Sequence, residues 1–448
     1  MISRREMLGG ALGASLFPAQ AFALQAAASA EILFRNVRVF DGKSLRLSGP
    51  TDVFVRGNQI AGIGRGTSSA GRVIEGRERT LMPGLIDAHW HMMMASLSMA
   101  ELMSVEPGFI HINGAREASD VLMRGFTSVR DLSGPVFGVR RAIARGIVPG
   151  PRIWASGAMI SQTSGHGDFR MLADLPSAGE RIEPASVRFG IGVIADGVPE
   201  VLRAVREQLM QGANQIKLAA GGGVSSNFDP IDVAQYTEEE FRAASLAAEN
   251  WGTYVTVHAY TPHAIQTAVR GGVRCVDHGQ MMDEATARLL AERGIWLCLQ
   301  PFIEEEGEQS TRFAEGSENR AKQLQMYAGT DEAYALAKRF GIKTTFGTDA
   351  LFDPRAASRQ GAQLARLIRW YSPAEVLRMA TGTNAELLAL SGPRNPWPGR
   401  LGVVEQGALA DLLLVNGDPI ENINLIADPD ASFAVIMKDG RIYKDAVG

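Results

Sequence analysis

The sequence predicts an α/β protein: a closed (β/α)8 TIM-like barrel with a small composite β-sandwich domain built from the N- and C-terminal segments. Two observations predict it. Between residues 84 and 400, eight short apolar runs alternate with amphipathic helical stretches, and β-textured segments flank that region on both sides. An open doubly wound sheet is the alternative. Neither G-x-G-x-x-G nor G-x-x-x-x-G-K-[ST] stands where such a sheet would use one.

Residues 1–30 differ from the rest. Ser3-Arg4-Arg5-Glu6-Met7 precedes a short apolar run over 8–17, and Ala21-Phe22-Ala23 and Ala28-Ser29-Ala30 offer small-residue exits. Charged head, apolar centre and A-x-A exit have the form of a secretory signal, and the paired arginines resemble a twin-arginine signal. A periplasmic or secreted location follows as an expectation, with a membrane-tethering tail as the alternative. No other apolar run approaches the roughly 18–20 residues needed to span a bilayer.

Residues 31–83 read as β-structure, with Ile32, Phe34, Val37 and Val39 in loose alternation and Asp41-Gly42 as punctuation. Residues 401–448 share that texture. There, 410–415 reads as a strand, Asn416-Gly417 as a turn, and Val435-Ile436-Met437 runs into the hairpin signal Lys438-Asp439-Gly440. Neither piece holds a core alone, so the two are expected to pair into one domain. The barrel would then occupy 84–400, with strands over 85–91, 125–132, 152–157, 215–220, 254–260, 275–279, 296–301 and 344–350. Helices are predicted over 238–251, 262–270 and 284–293, with Gly271-Gly272 and Gly294 as stops.

Composition narrows the function. A chain of 448 residues that is 46% hydrophobic and 21% charged is an ordinary globular protein with room for a large core. Its formal net charge of −4 comes without any basic block, which argues against nucleic acid or an anionic membrane as partner. The two cysteines, Cys275 and Cys298, form no C-x-x-C pair and read as buried free thiols on neighbouring strands. A small-molecule substrate is the expected partner, in a homo-oligomer with no nucleic acid and no membrane span.

The chemistry-bearing residues fall at strand ends. His89 and His91 close the first strand, Lys217 lies in the fourth, His258 in the fifth, His278 in the sixth and Asp349 ends the eighth. Alternate residues of a strand share a face roughly 6–7 Å apart, so His89 and His91 can lean over one cation. In a barrel all these ends meet on one face, where catalytic residues collect. A lysine between Ile216 and Leu218 is costly in a strand covered on both sides. It either snorkels to solvent or, beside divalent cations, loses its proton and takes up carbon dioxide as a carbamate able to bridge two ions.

At this point the order H-x-H, Lys, His, His, Asp with a flanking β-domain resembles the amidohydrolase superfamily. The closer wording resembles its dipeptide- and N-acyl-amino-acid-cleaving members related to imidazolonepropionase. The stretches that carry the likeness are M-P-G-L-I-D-A-H-W-H, G-F-T-S-V-R-D, S-G-H-G-D, Q-I-K-L-A-A-G-G-G-V-S-S, T-V-H-A-Y, V-D-H-G, F-G-T-D-A and A-L-A-D-L-L-L-V-N-G-D-P. The resemblance implies two divalent metal ions, zinc by default and cobalt or manganese otherwise. His89, His91 and Asp349 would hold one, His258 and His278 the other, with carboxylated Lys217 shared. Imidazolonepropionase uses one metal and lacks the lysine, so Lys217 argues against that activity. Many relatives carry an acidic residue in the helix after the eighth strand, whereas 358–364 here reads S-R-Q-G-A-Q-L.

The expected reaction is hydrolysis of an amide in a small carboxylate-bearing substrate: a dipeptide, an N-acyl amino acid or an amino-acid-conjugated toxin such as ochratoxin. Two cations about 3.5–4 Å apart bring a bridging water's pKa from ~15.7 towards ~7. Asp349 is the expected proton shuttle to the leaving nitrogen. His166 would polarise the carbonyl or stabilise the oxyanion, and Tyr260 would face the substrate. Arg130 and Asp131 read as a mutual brace ahead of a substrate contact. His111 and His263 read as non-catalytic, and Glu304-Glu305-Glu306 as a solvated loop. The same site would permit lactone, ester or phosphoester hydrolysis, and a metal-binding envelope protein without catalysis is the remaining alternative.

Overall fold

The computed structural model describes residues 31–64, 71–175, 184–304 and 313–447. The twin-arginine-like segment, Glu305 and Glu306 lie outside the described residues.

The eight expected barrel strands form at Leu85–Trp90, Phe126–Asp131, Arg152–Ala155, Ile216–Ala219, Val255–Ala259, Cys275–His278, Trp296–Leu299 and Thr344–Phe346. Every residue in them is buried, as expected of parallel strands covered by helices on one side and a packed barrel interior on the other. The third strand departs from the prediction by coming in two pieces. Arg152–Ala155 pairs with the second strand, the chain kinks at Gly157 (φ +74°), and Met159–Ser161 then pairs with the fourth. A short strand, Gly192–Ile194, adds to the outer edge of that second piece. Asn214 spans the break, its backbone N–H donating to Ala155 O (2.8 Å) and its Oδ1 accepting from Ala155 N (2.9 Å).

The ring closes between the eighth strand and the first. Asp349 N donates to His89 O at 2.8 Å, and Thr348 N to Asp87 Oδ1 at 3.1 Å. Glycine is required at the seam, because a Cβ on Gly347 would lie 2.4 Å from that of His89. The predicted helices appear at Glu238–Glu249, Pro262–Arg270 and Glu284–Arg293. Thr237 and Glu240 make a capping box at the first, Asp283 caps the third, and Gly294 ends it in the left-handed region.

The terminal segments join as expected. Leu412–Val415 pairs antiparallel with Thr80–Pro83, and Phe433–Lys438 and Arg441–Asp445 extend the layer. Glu31–Val39 joins the two halves of what is one continuous eight-stranded sheet. Residues 31–37 pair with Thr51–Arg56, and residues 38–39 pair with Thr80–Pro83 after an irregularity at Asn36 (φ +54°). The hairpin at Asp439-Gly440 has both residues at positive φ, as a primed turn demands. Arg152 fastens this domain to the barrel floor by a bidentate pair with Asp411 (2.8 and 3.0 Å) and a contact to Asp439 (2.7 Å). Cys275 and Cys298 are buried free thiols on adjacent strands, as predicted.

Candidate metal centre

The strand ends bring His89, His91, Lys217, His258, His278 and Asp349 to one cleft, with His166 and Tyr260 on its wall. The cleft encloses ≈ 720 Å³ of space open to solvent at the barrel mouth. Lys217 does not snorkel outward; it is 2% exposed. Ligand atoms of His89, His91 and Asp349 all lie within 4.8 Å of one another. Asp349 Oδ1 stands 2.9 Å from His91 Nε2 and 3.2 Å from His89 Nε2. The imidazoles continue around the mouth, with ring centres 4.9 Å apart for His89–His278 and 4.5 Å for His258–His278. His278 (φ +83°) and Asp349 (φ +52°) both hold left-handed backbones, a strain of about 1–3 kcal/mol each that the strand ends must sustain.

The donor set fits cations. His258 Nε2 faces Gly222 O at 3.1 Å and His278 Nδ1 faces Gln300 Oε1 at 2.8 Å, so each ring donates one N–H and keeps one bare nitrogen. His91 Nδ1 is buried without a hydrogen-bond partner. Burial holds His258 and His278 well below the ordinary histidine range, in the neutral form that binds metals. Burial also opposes charge on His89, yet Asp349 and Asp277 raise it to about 10. For Asp349, burial works upward and His89, His91 and His278 prevail, keeping its carboxyl well below the usual range.

Beneath the imidazoles lies a layer that sequence reasoning missed. Asp277 accepts from Lys217 Nζ (2.6 Å) and Thr256 Oγ1 (2.8 Å) on one oxygen and from Arg130 (2.5 Å) on the other. The signal was present: an acid inside the apolar run C-V-D-H is as costly as the lysine that drew notice. The expected Arg130–Asp131 brace is therefore corrected. Neighbours on a strand point to opposite faces, so Arg130 turns inward to Asp277 and Ala88 O (2.6 Å), while Asp131 accepts from Met92 N (2.6 Å). Gln360, in the stretch that departs from the family pattern, donates to Asp87 Oδ2 (2.8 Å) and accepts from Arg124 (3.1 Å). It supports helix packing behind the first strand and does not line the cleft.

His166 stacks on His258 with ring centres 3.9 Å apart and bonds Ser226 Oγ through Nδ1 at 2.8 Å. Burial lowers its pKa to about 4, so it is a neutral N–H donor at pH 7. Tyr260 packs edge-on to His258, 4.8 Å between centres. His111 and His263 sit on the helices Pro107–Met123 and Pro262–Arg270, outside the cleft. Glu304 is exposed and pairs with Arg320.

Comparison with known proteins gives the family. The model of the Amidohydrolase family matches residues 80–444. The chain belongs to the amidohydrolase family. Ochratoxinase of Aspergillus niger is 32% identical over 397 residues, covering 85% of this chain and 78% of that protein. Among solved structures, a prolidase complexed with N-methylphosphonate-L-proline is 34% identical, with TM-score 0.84 over 93% of this chain and 100% of that one. A Xaa-Pro dipeptidase with bound methionine is 29% identical, with TM-score 0.80 over the same shares. This amidohydrolase is thus a hydrolase acting on amide or peptide bonds, built on the TIM-like barrel with its separate β-domain. Among the described residues no helix is long and apolar enough to cross a membrane.

Proposed function

We propose that this amidohydrolase cleaves the amide of a small carboxylate-bearing substrate, a dipeptide or an N-acyl amino acid. The observation that carries the reading is the convergence of four histidines, Lys217 and Asp349 on one buried cleft. Two divalent cations, zinc by preference, held by His89, His91 and Asp349 and by His258 and His278 with carboxylated Lys217 between, would supply Lewis acidity and a water acidic enough to attack at neutral pH.

The remaining work falls to the chain. Asp349 takes the proton from the attacking water as the new C–O bond forms. It then hands that proton to the nitrogen, which leaves as the neutral amine when the C–N bond breaks. His166, neutral and held by Ser226, donates to the carbonyl oxygen as charge builds there. Tyr260 borders the substrate on the His258 side. Export by the twin-arginine-like segment completes the reading, and N-terminal sequencing of periplasmic protein tests it.

One observation favours a second reading. Lys217 Nζ donates to Asp277 at 2.6 Å, an engagement open to the unmodified side chain, which suits a single ion on His89, His91 and Asp349. Metal analysis with peptide mass spectrometry separates the two. Two ions per chain and a lysine heavier by one carbon dioxide support the first, and one ion with unmodified Lys217 supports the second. For the two-ion reading, Asp349→Asn should keep most of the metal and lose turnover of an N-acyl amino acid. Unchanged turnover would remove Asp349 as proton carrier.

A further inference from the structure

Residues 220–237, between the fourth strand and the helix Glu238–Glu249, form neither helix nor strand. An isolated bridge joins Gly221 to Ala234 at the base of this loop, and Asp229 Oδ2 accepts from Gly223 N at 2.8 Å within it. The loop carries Ser226, whose Oγ stands 2.8 Å from His166 Nδ1 and 3.3 Å from Gly223 O. A hydroxyl has one proton to give, and Nδ1 is the nearer acceptor. With that bond made, the neutral imidazole keeps its own proton on Nε2, the form that can donate to a substrate carbonyl. Were Ser226 turned to Gly223 O instead, Nδ1 would hold the proton and Nε2 would be bare. Where the loop holds Ser226 therefore decides what His166 can do.

The tip of the loop is fastened from outside. Helix Glu318–Phe340 follows the seventh strand, and two of its side chains reach across. Asn319 Nδ2 donates to Val224 O (2.7 Å) and Ser226 O (3.1 Å), and Lys322 Nζ to Ser226 O (3.1 Å) and Asp229 O (2.8 Å). Residues three and four apart on a helix share a face. That face continues to Gln323 and Met326, which line the metal cleft. Lys322 is 4% exposed, and among the described residues its amine pairs with no carboxylate. A buried ammonium answered by carbonyls alone is a costly way to seat a helix that methionine or leucine would pack as well. Both of its bonds go to the segment that bears Ser226.

We propose that Lys322 and Asn319 are positioning residues, which hold the loop after the fourth strand so that Ser226 meets His166 Nδ1 and keeps that ring's proton on Nε2. This rests on the reading of His166 as the carbonyl donor and goes beyond it by assigning the element that aims it. The test uses the metal-loaded full chain and an N-acyl amino acid. Lys322→Met should lower kcat about tenfold with KM little moved, since Asn319 still holds Ser226 O and the drift stays under the ~1 Å that costs on the order of 100-fold. In a His166→Ala background the same change should cost nothing further, because the group being aimed is gone. A merely structural role would lower kcat alike in both backgrounds. Wild-type kcat in Lys322→Met, or an equal loss in both backgrounds, would overturn the positioning role and leave His166 as donor. Wild-type kcat in His166→Ala alone would instead overturn that reading, and the positioning role with it. If circular dichroism shows Lys322→Met unfolded, Asn319→Ala goes through the same cycle and is read the same way, with about threefold in place of tenfold.

Discussion

Replacing Gly223 by alanine would place a Cβ 1.8 Å from His166 Nδ1. Ordinary contact begins near 3.4 Å, so something must yield by about 1.6 Å. The backbone is poorly placed to do so. Gly223 N donates to buried Asp229 at 2.8 Å, Gly222 O receives His258, and a Cβ on Gly222 would itself collide with Pro230 O. The imidazole must therefore swing off its stack on His258 and release Ser226. One lost hydrogen bond costs about 1 kcal/mol of stability. The catalytic loss should be larger, because a displacement of ~1 Å in a positioned group costs on the order of 100-fold, as does loss of a single oxyanion donor. We expect kcat on an N-acyl amino acid to fall on the order of 100-fold, with metal content unchanged and KM little moved. His166→Ala should fall as far, and the double variant no further, since both changes remove one interaction. Wild-type kcat in Gly223→Ala, or losses that multiply in the double variant, would refute the assignment of His166.

The other expectations concern stability. Arg130→Met leaves Asp277 at the barrel's centre with Lys217, Thr256 and the longer 3.5 Å contact to His89, and breaking such a buried pair should cost about 3–5 kcal/mol in urea unfolding followed by circular dichroism. A loss under ~1 kcal/mol would mean that the remaining partners suffice without Arg130. Lys438, whose amine donates to Gly150 O (2.6 Å), is lowered by burial from 10.5 to about 8, with Asp411 opposing. The folded chain thus binds that proton more weakly than the unfolded one. The resulting cost, about 3 kcal/mol, is fully present below pH 8 and fades as pH rises towards 10.5. Allowing about 1 kcal/mol for the lost hydrogen bond, Lys438→Met should be about 2 kcal/mol more stable than wild type at pH 7, with that advantage shrinking by pH 10. A pH-independent difference between the two melts would exclude the linkage.

The barrel strands and the ring of imidazoles were legible because each is written locally: an apolar run, a histidine at its end, a glycine-bounded exit. The kink at Gly157 was not, because an apolar third strand reads the same whether it runs straight or steps between neighbours. Asp277 was hidden for another reason. Its partners lie 147, 60 and 21 residues away, and no local pattern announces a contact at such separations. The Arg130–Asp131 error has the same root, since adjacency in sequence stood in for adjacency in space when strand geometry forbids it. Gln360 shows the converse. Its difference from the family pattern was visible, and only its distance from Asp87 revealed that the change concerns support behind the site.

Asp277 also bears on how Lys217 can serve two states. In the chain alone, Arg130 and Lys217 share one aspartate at the barrel's centre. In that arrangement Lys217 Nζ lies 2.6 Å from Asp277. Converting it to a carbamate would place a second anion beside Asp277, an imbalance that divalent cations among the imidazoles would reverse. Asp277 loses little in that exchange, because Arg130 and Thr256 still occupy both its oxygens. Metal uptake and carboxylation would therefore favour each other by linkage. Bicarbonate should raise apparent metal affinity in the wild type and leave Lys217→Met unaffected, as read by competition against a chelating dye. Equal bicarbonate sensitivity in both proteins would assign that dependence to something other than Lys217.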